Sequence, residues 1–130
     1  MILFDTDTCI GILRGYDSVI SRRRIVDDEI AISFMTVAEL YYGAEKSSNP
    51  DKNFRLVEQF LLSVKIINTD MEILKKFGRL KAALERQGNT LSDSDLLIAA
   101  TCLDRCTALV TGNTSHYSRI NGLVLDNWLR

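Results

Sequence analysis

Short apolar runs alternate along this chain with stretches whose apolar residues recur every three or four positions. Ile2-Leu3-Phe4 is a compact apolar run closed by Asp5-Thr6-Asp7-Thr8, which reads as a buried strand opening directly into a loop or helix cap. Ile30 to Phe34 forms a second run, after which Val37, Leu40, Tyr41 and Ala44 take up a helical rhythm. Beyond Pro50, Phe54, Val57 and Leu61 share one helical face, and Val64 to Ile67 is a third, β-branched run with strand character. Thr69 to Gly88 carries Ile73, Phe77, Leu80 and Leu84 along one stripe, with Thr69 and Glu72 spaced as a capping box and Gly88 as the stop. Leu96 to Leu103 is apolar nearly all round, as in a helix buried between a sheet and its neighbours. Ala108 to Thr111 predicts a fourth strand ending in Gly112-Asn113, and Leu123 to Leu125 a short last one before Trp128. Strands alternating with helices, broken by a single proline, predict an α/β fold: a mostly parallel sheet with helices on both faces.

Composition narrows this picture without redirecting it. The 130 residues, 46% hydrophobic, are expected to form one domain spanning 1–130 with one well-packed core. Lysine and arginine number 16 against 17 acids, so any nucleic-acid contact must come from a local patch and not from a basic coat. Three cysteines, an odd count, and no amino-terminal basic-then-apolar run lead us to expect cytoplasmic residence. The longest apolar run, Leu96 to Ala100, falls far short of the roughly 20 residues that cross a bilayer, so no membrane span is expected.

Candidate chemistry lies in the acids. In open α/β sheets ligands collect outside the carboxyl ends of the strands. Asp5 follows the first strand, Glu39 begins the helix after the second, Asp95 begins the buried helix, and Asn113 follows the fourth strand. Three carboxylates brought together repel one another unless a cation offsets their charge. Mg²⁺ suits such a site, since it takes oxygen ligands, keeps several waters and leaves positions for a phosphate oxygen. Phosphodiester cleavage follows as the expected chemistry, with Glu39 orienting or deprotonating the attacking water. Each acid taken singly also has a structural reading. Thr36 to Glu39 and Ser92 to Asp95 both have capping-box spacing, and first-turn acids are favoured by the helix dipole.

At these same residues the chain resembles the PIN-domain family, and within it the VapC toxins of bacterial toxin-antitoxin pairs. Phe4-Asp5-Thr6-Asp7 is similar to the family's opening block. Thr36-Val37-Ala38-Glu39-Leu40 with Tyr42-Gly43-Ala44-Glu45-Lys46-Ser47 is similar to the second, Asp95-Leu96-Leu97-Ile98-Ala99-Ala100 to the third, and Val110-Thr111-Gly112-Asn113-Thr114 to the fourth. The four stand in order and end in a Leu-Val-Leu-Asp-Asn-Trp tail. The resemblance implies an α/β/α sandwich and an endoribonuclease dependent on Mg²⁺ or Mn²⁺ that cleaves single-stranded RNA or tRNA. It also implies a homodimer, growth arrest on expression, and silencing by a cognate VapB-type antitoxin. By position it assigns metal binding to Asp5 and Asp95, catalytic support to Glu39, and a fourth polar site to Asn113. Two positions depart from the pattern: Asp7 replaces the usual Asn, and Asn113 stands where many relatives have Asp, offering only a neutral oxygen. Asp93 supplies either further negative charge or a solvated first-turn residue.

Other features carry two readings each. Arg22-Arg23-Arg24 suits either an RNA backbone or a solvated face, and Lys46, Arg79, Lys81 and Arg86 cannot be placed on one side by spacing. Cys102 and Cys106 share a helical face, but with His116 the only histidine they read as core thiols and not as a zinc site. Tyr41, Tyr42 and Tyr117 suit packing or base stacking. The apolar residues of Tyr41 to Ala44 and of Phe54 to Leu62 suit a groove for an antitoxin helix. Asp5-Thr6-Asp7-Thr8 also resembles the nucleophile motif of haloacid dehalogenase-like phosphatases, in which Asp5 would attack phosphorus. A catalytically silent RNA- or protein-binding domain is the third reading.

Overall fold

The computed structural model describes residues 1–129. Five strands, β1 (Ile2–Phe4), β2 (Ile30–Ser33), β3 (Lys65–Ile67), β4 (Ala108–Val110) and β5 (Leu125–Asp126), form one sheet in the order β3-β2-β1-β4-β5. Every pairing is parallel, with Phe4 opposite Ile32 on one side and Val110 on the other. Seven helices connect the strands: α1 (Thr6–Leu13), α2 (Asp17–Ile25), α3 (Phe34–Glu45), α4 (Pro50–Leu61), α5 (Met71–Arg86), α6 (Asp93–Arg105) and α7 (Thr114–Tyr117).

The period-two geometry of the strands sorts the apolar residues into two cores. Leu3, Ala31, Ile67 and Leu109 point to one face, where Ile73 and Leu84 of α5 and Leu96, Ile98 and Cys102 of α6 cover them. Ile2, Phe4, Ile32 and Val110 point to the other, under Cys9, Val19, Leu40, Val57, Phe60 and Trp128. Burial on both faces is why these strands read as continuous apolar runs. The result is the expected three-layer α/β/α arrangement, wholly parallel.

Several boundaries differ from the sequence reading. Asp70, not Thr69, caps α5: it is extended (φ −146°, ψ 179°), and its carboxylate accepts from the Ile73 N–H at 3.0 Å. Gly88, at φ +72°, ends the helix as expected. The last strand is Leu125–Asp126 and not Leu123 to Leu125, because β4 binds it through Leu109 N–H to Val124 O and Thr111 N–H to Asp126 O, both 2.8 Å. Two of the three arginines of the run are held within the fold, and Arg24 is exposed. Arg22 bonds Asp126 at 3.0 Å and lies over the Trp128 ring, and Arg23 donates to the Ser63 carbonyl at 2.9 Å. Cys9 and Cys102 are core thiols, and Cys106 is half-buried. Among the described residues no helix is long and apolar enough to cross a membrane.

Strand order fixes where a ligand can go. From β1 the chain steps out to β2 and β3 on one side, whereas β4 returns beside β1 and leads to β5 on the other. The two adjacent central strands send their connections in opposite directions, which opens a crevice outside their carboxyl ends.

Candidate active site

A cleft of about 280 Å³ opens at that crevice, and Asp5, Glu39, Asp95 and Asn113 all line it. Four elements supply the four side chains. Asp5 is the first residue past β1, Glu39 lies in the second turn of α3, Asp95 in the first turn of α6, and Asn113 caps α7 after β4. Asp7 reaches the same cleft from α1.

Asp5 is the most deeply held. Only 4% exposed, it caps α1 through Oδ1, which accepts the Thr8 N–H at 2.9 Å, while Oδ2 accepts the Thr111 hydroxyl at 2.5 Å. Its backbone N–H donates to the Val110 carbonyl at 3.1 Å, as does the Thr8 hydroxyl at 3.0 Å, so the start of α1 is stitched to the end of β4. Burial pushes the Asp5 carboxyl above its ordinary range, the Thr111 and Thr8 hydrogen bonds oppose that, and the charge of Asp7 adds to it. An ionised carboxylate offers about four acceptor positions, so both oxygens retain lone pairs for a further partner.

Glu39 and Asp95 are half-buried, and each is held by one hydroxyl. The Thr6 hydroxyl donates to Glu39 Oε1 at 2.7 Å, with Thr36 Oγ1 3.1 Å away. Ser33, not Thr36, caps α3, accepting from the Thr36 N–H at 3.2 Å, so Glu39 is no part of a cap. Ser92 does cap α6, accepting from the Asp95 N–H at 3.2 Å, but the Asp95 carboxylate instead accepts the Tyr117 hydroxyl at 3.2 Å. Tyr117 is 1% exposed. Burial drives its phenol well above the ordinary range, and the charges of Asp95, Asp5 and Glu39 push the same way, which places that oxygen within the field of all three acids. Asn113 shares its Nδ2 with His116 Nδ1 at 2.8 Å, leaving Oδ1 as the amide atom available to a ligand, and its backbone N–H donates to Thr111 Oγ1 at 2.9 Å.

Asp93 stands apart from this group. Two residues before Asp95, it is exposed and pairs with Lys81 at 2.9 Å. Tyr41 is likewise occupied, with its ring 5.4 Å from Phe54 and its hydroxyl 2.6 Å from Glu58.

The donor set is wholly oxygen, as a hard divalent cation requires. Among the described residues no three acidic, histidine or cysteine side chains close tightly enough to cage an ion by themselves. A hydroxyl tethers each acid of the cleft, and Mg²⁺, which binds through one or two carboxylates and keeps several waters, does not require a three-acid cage. Thr6, Thr111 and Tyr117 were not singled out as site residues from sequence. Thr111 sits inside the fourth block quoted above, but nothing in the sequence points Tyr117 at Asp95.

Known proteins give the same picture. The PIN domain model matches residues 2–123. Ribonuclease VapC2 of Haemophilus influenzae is 33% identical over 128 residues, covering 98% of this chain and 97% of that protein. The tRNA(fMet)-specific endonuclease VapC of Shigella flexneri is 32% identical, covering 97% and 96%. In three dimensions a chain of the Rickettsia felis VapBC2 complex, crystallised on a DNA fragment from its promoter, superposes with a TM-score of 0.92 at 32% identity, covering 98% of this chain and 99% of that one. With the four sequence blocks gathered on one cleft of an all-parallel sheet, this chain belongs to the PIN domain family, among the VapC ribonucleases.

Proposed function

We propose that the protein is a divalent-metal-dependent endoribonuclease, the toxin of a toxin-antitoxin pair. The observation that carries the reading is the convergence of Asp5, Glu39, Asp95 and Asn113, from four separate elements, on one cleft at the switch point of the sheet. Names borne by its relatives support RNA as substrate, tRNA among them, and an antitoxin as partner. Family membership favours this over the phosphatase reading of Asp5.

Asp5 and Asp95 hold the cation, Mg²⁺ or alternatively Mn²⁺, and Asn113 Oδ1 completes the oxygen set. When bound, the ion supplies positive charge against the phosphate oxygens and lowers the pKa of nearby water. Thr111 and Thr8 fix both oxygens of Asp5, so its lone pairs keep a constant direction as substrate enters. Thr6 holds Glu39 Oε1, which leaves Oε2 to take a proton from the water whose oxygen bonds to phosphorus as the ribose ester oxygen departs and takes up a proton from solvent. Homodimerisation and cytoplasmic action belong to the same reading. So does neutralisation by an antitoxin segment docked over the apolar residues of Tyr41 to Ala44 and of Phe54 to Leu62.

Purified protein is expected to cleave RNA in Mg²⁺, to stop in EDTA, and to lose cleavage in Asp5→Asn and Asp95→Asn. Full activity in those variants refutes the assignment. Expression is expected to arrest growth, and co-expression of the neighbouring antitoxin gene to relieve it.

A further inference from the structure

The side of α3 that faces the cleft carries more than Glu39. Tyr42, Gly43 and Lys46 line the same cleft, and with Glu39 they stand at i, i+3, i+4 and i+7, one stripe of a helix. Seven residues span about 10 Å of helix axis, so the stripe runs from the acids out to the rim.

Charge along this wall is lopsided. Asp5, Asp7, Glu39 and Asp95 line the cleft, and among the described residues Lys46 is the one cationic side chain that does. A phosphodiester is repelled by such a lining, and a single divalent ion offsets only part of it. Among the described residues Lys46 has no salt bridge to any carboxylate; its Nζ lies 5.0 Å from the centre of the Tyr42 ring. Tyr42 is 66% exposed, an unusual position for a large aromatic, while its neighbour Tyr41 is taken up by Phe54 and Glu58. Gly43, between them, has open space where a side chain would stand: an added Cβ meets nothing within 4 Å. Alanine there would make a more stable helix, so the glycine leaves that part of the cleft open at some cost in helix stability.

We propose that this stripe is the platform for a nucleotide flanking the cleaved phosphate, with Tyr42 stacking an unpaired base on the ring face away from Lys46, Lys46 holding a backbone phosphate and Gly43 leaving open space beside them. The proposal rests on the ribonuclease reading and specifies its substrate as RNA unpaired at this position, since a base within a duplex offers no free face to the ring.

Binding and cleavage are measured separately. A fluorescein-labelled single-stranded oligoribonucleotide is titrated with the full chain in Ca²⁺ by fluorescence anisotropy, and its cleavage is followed in Mg²⁺. Tyr42→Ala and Lys46→Ala are each expected to weaken binding about tenfold, with Tyr42→Phe and Lys46→Arg restoring it. Lys46→Ala also lowers the slope of log affinity against log salt by about 0.7, the loss of one phosphate contact, whereas Tyr42→Ala leaves that slope unchanged. Gly43→Ala weakens binding while raising the melting temperature, a combination that a purely structural role cannot produce. Lys52→Ala, on exposed α4, controls for net charge. If the Tyr42, Lys46 and Gly43 variants bind this RNA as the unsubstituted protein does, the platform is overturned, including the case in which they weaken only a protein partner. Binding that follows the expected pattern without cleavage in Mg²⁺ instead overturns the nuclease reading and leaves the platform standing.

Discussion

Asp5 and Asp95 face one cleft but are held in different ways. Asp5 is almost wholly buried at the end of the central strand, with a donor on each oxygen and its backbone tied to β4. Asp95 is half-buried on a helix, and its carboxylate takes a single phenol hydroxyl from α7. The sheet over-determines the first acid, whereas the second depends on one hydrogen bond. Removing either charge should therefore harm catalysis alike but affect the fold differently.

Substitution of the acids themselves is expected to have the largest effect. Asp5→Asn and Asp95→Asn should each slow cleavage about a thousandfold, the several kcal/mol expected when charge stabilisation at the phosphate is lost. Stability separates them. Burial raises the Asp5 carboxyl above its ordinary value of 3.8, so the folded chain binds that proton more tightly than the unfolded one. Its contribution is fully present below the unfolded value and is lost as pH rises through the folded value. In EDTA, the melting temperature of Asp5→Asn relative to the unsubstituted protein should therefore rise from pH 4 to pH 7. Added Mg²⁺ should raise the melting temperature of the unsubstituted protein and not that of Asp5→Asn. A difference that does not change with pH would show that the buried charge is matched by the fold without a cation.

The tethers come next. Thr111→Val keeps the shape of the residue but removes the Asp5 donor and the acceptor for the Asn113 N–H. Leaving such groups unpaired should cost about 1–3 kcal/mol in chemical denaturation. Cleavage should fall about 10- to 100-fold, the usual loss when a partner that orients a ligand is removed. Tyr117→Phe takes away only the hydroxyl on Asp95 and keeps the packed ring, so cleavage and Mn²⁺ affinity should fall about tenfold with little change in stability. Equal losses from both variants would erase the contrast between the two sides of the cleft.

That contrast also marks what the sequence discloses. The strands, α5 and α6 were legible because burial of a strand on two faces, of α5 along one stripe and of α6 nearly all round leaves an apolar pattern. The helices α1 and α2 were not: α1 buries Thr8, Cys9 and Gly11, and α2 buries only Val19, so neither has a stripe to read. The cap of α5 shifted by one residue because Thr69 and Asp70 can both serve, and only backbone conformation decides. Asp5, Glu39, Asp95 and Asn113 could be placed at strand ends and helix starts, where α/β sheets gather ligands. Their tethers could not. A threonine hydroxyl has no sequence signature of its own, and Tyr117 meets Asp95 only through the turn that carries β4 into α7. The close approach behind that turn is equally hidden, since a Cβ on Gly112 would lie 2.6 Å from Leu129 of the carboxyl-terminal segment.

The smallest expected effect sharpens the comparison most. Asp93 and Asp95 occupy the same first turn of α6, carry the same charge and satisfy the same dipole argument, so helix position treats them alike and only the resemblance to the family's third block separates them. A helix turns about 100° per residue, and two positions on, the side chain faces elsewhere. Asp93 meets Lys81 in solvent, a pair that water and salt screen to a marginal contribution, while Asp95 turns inward to Tyr117 and the cleft. Asp93→Ala should accordingly leave cleavage within about twofold and the melting curve nearly unmoved in 0.15 M salt, against the loss expected for Asp95→Asn. A large loss of cleavage in Asp93→Ala would mean that charge at the helix start, and not the direction of one carboxylate, is what the site requires.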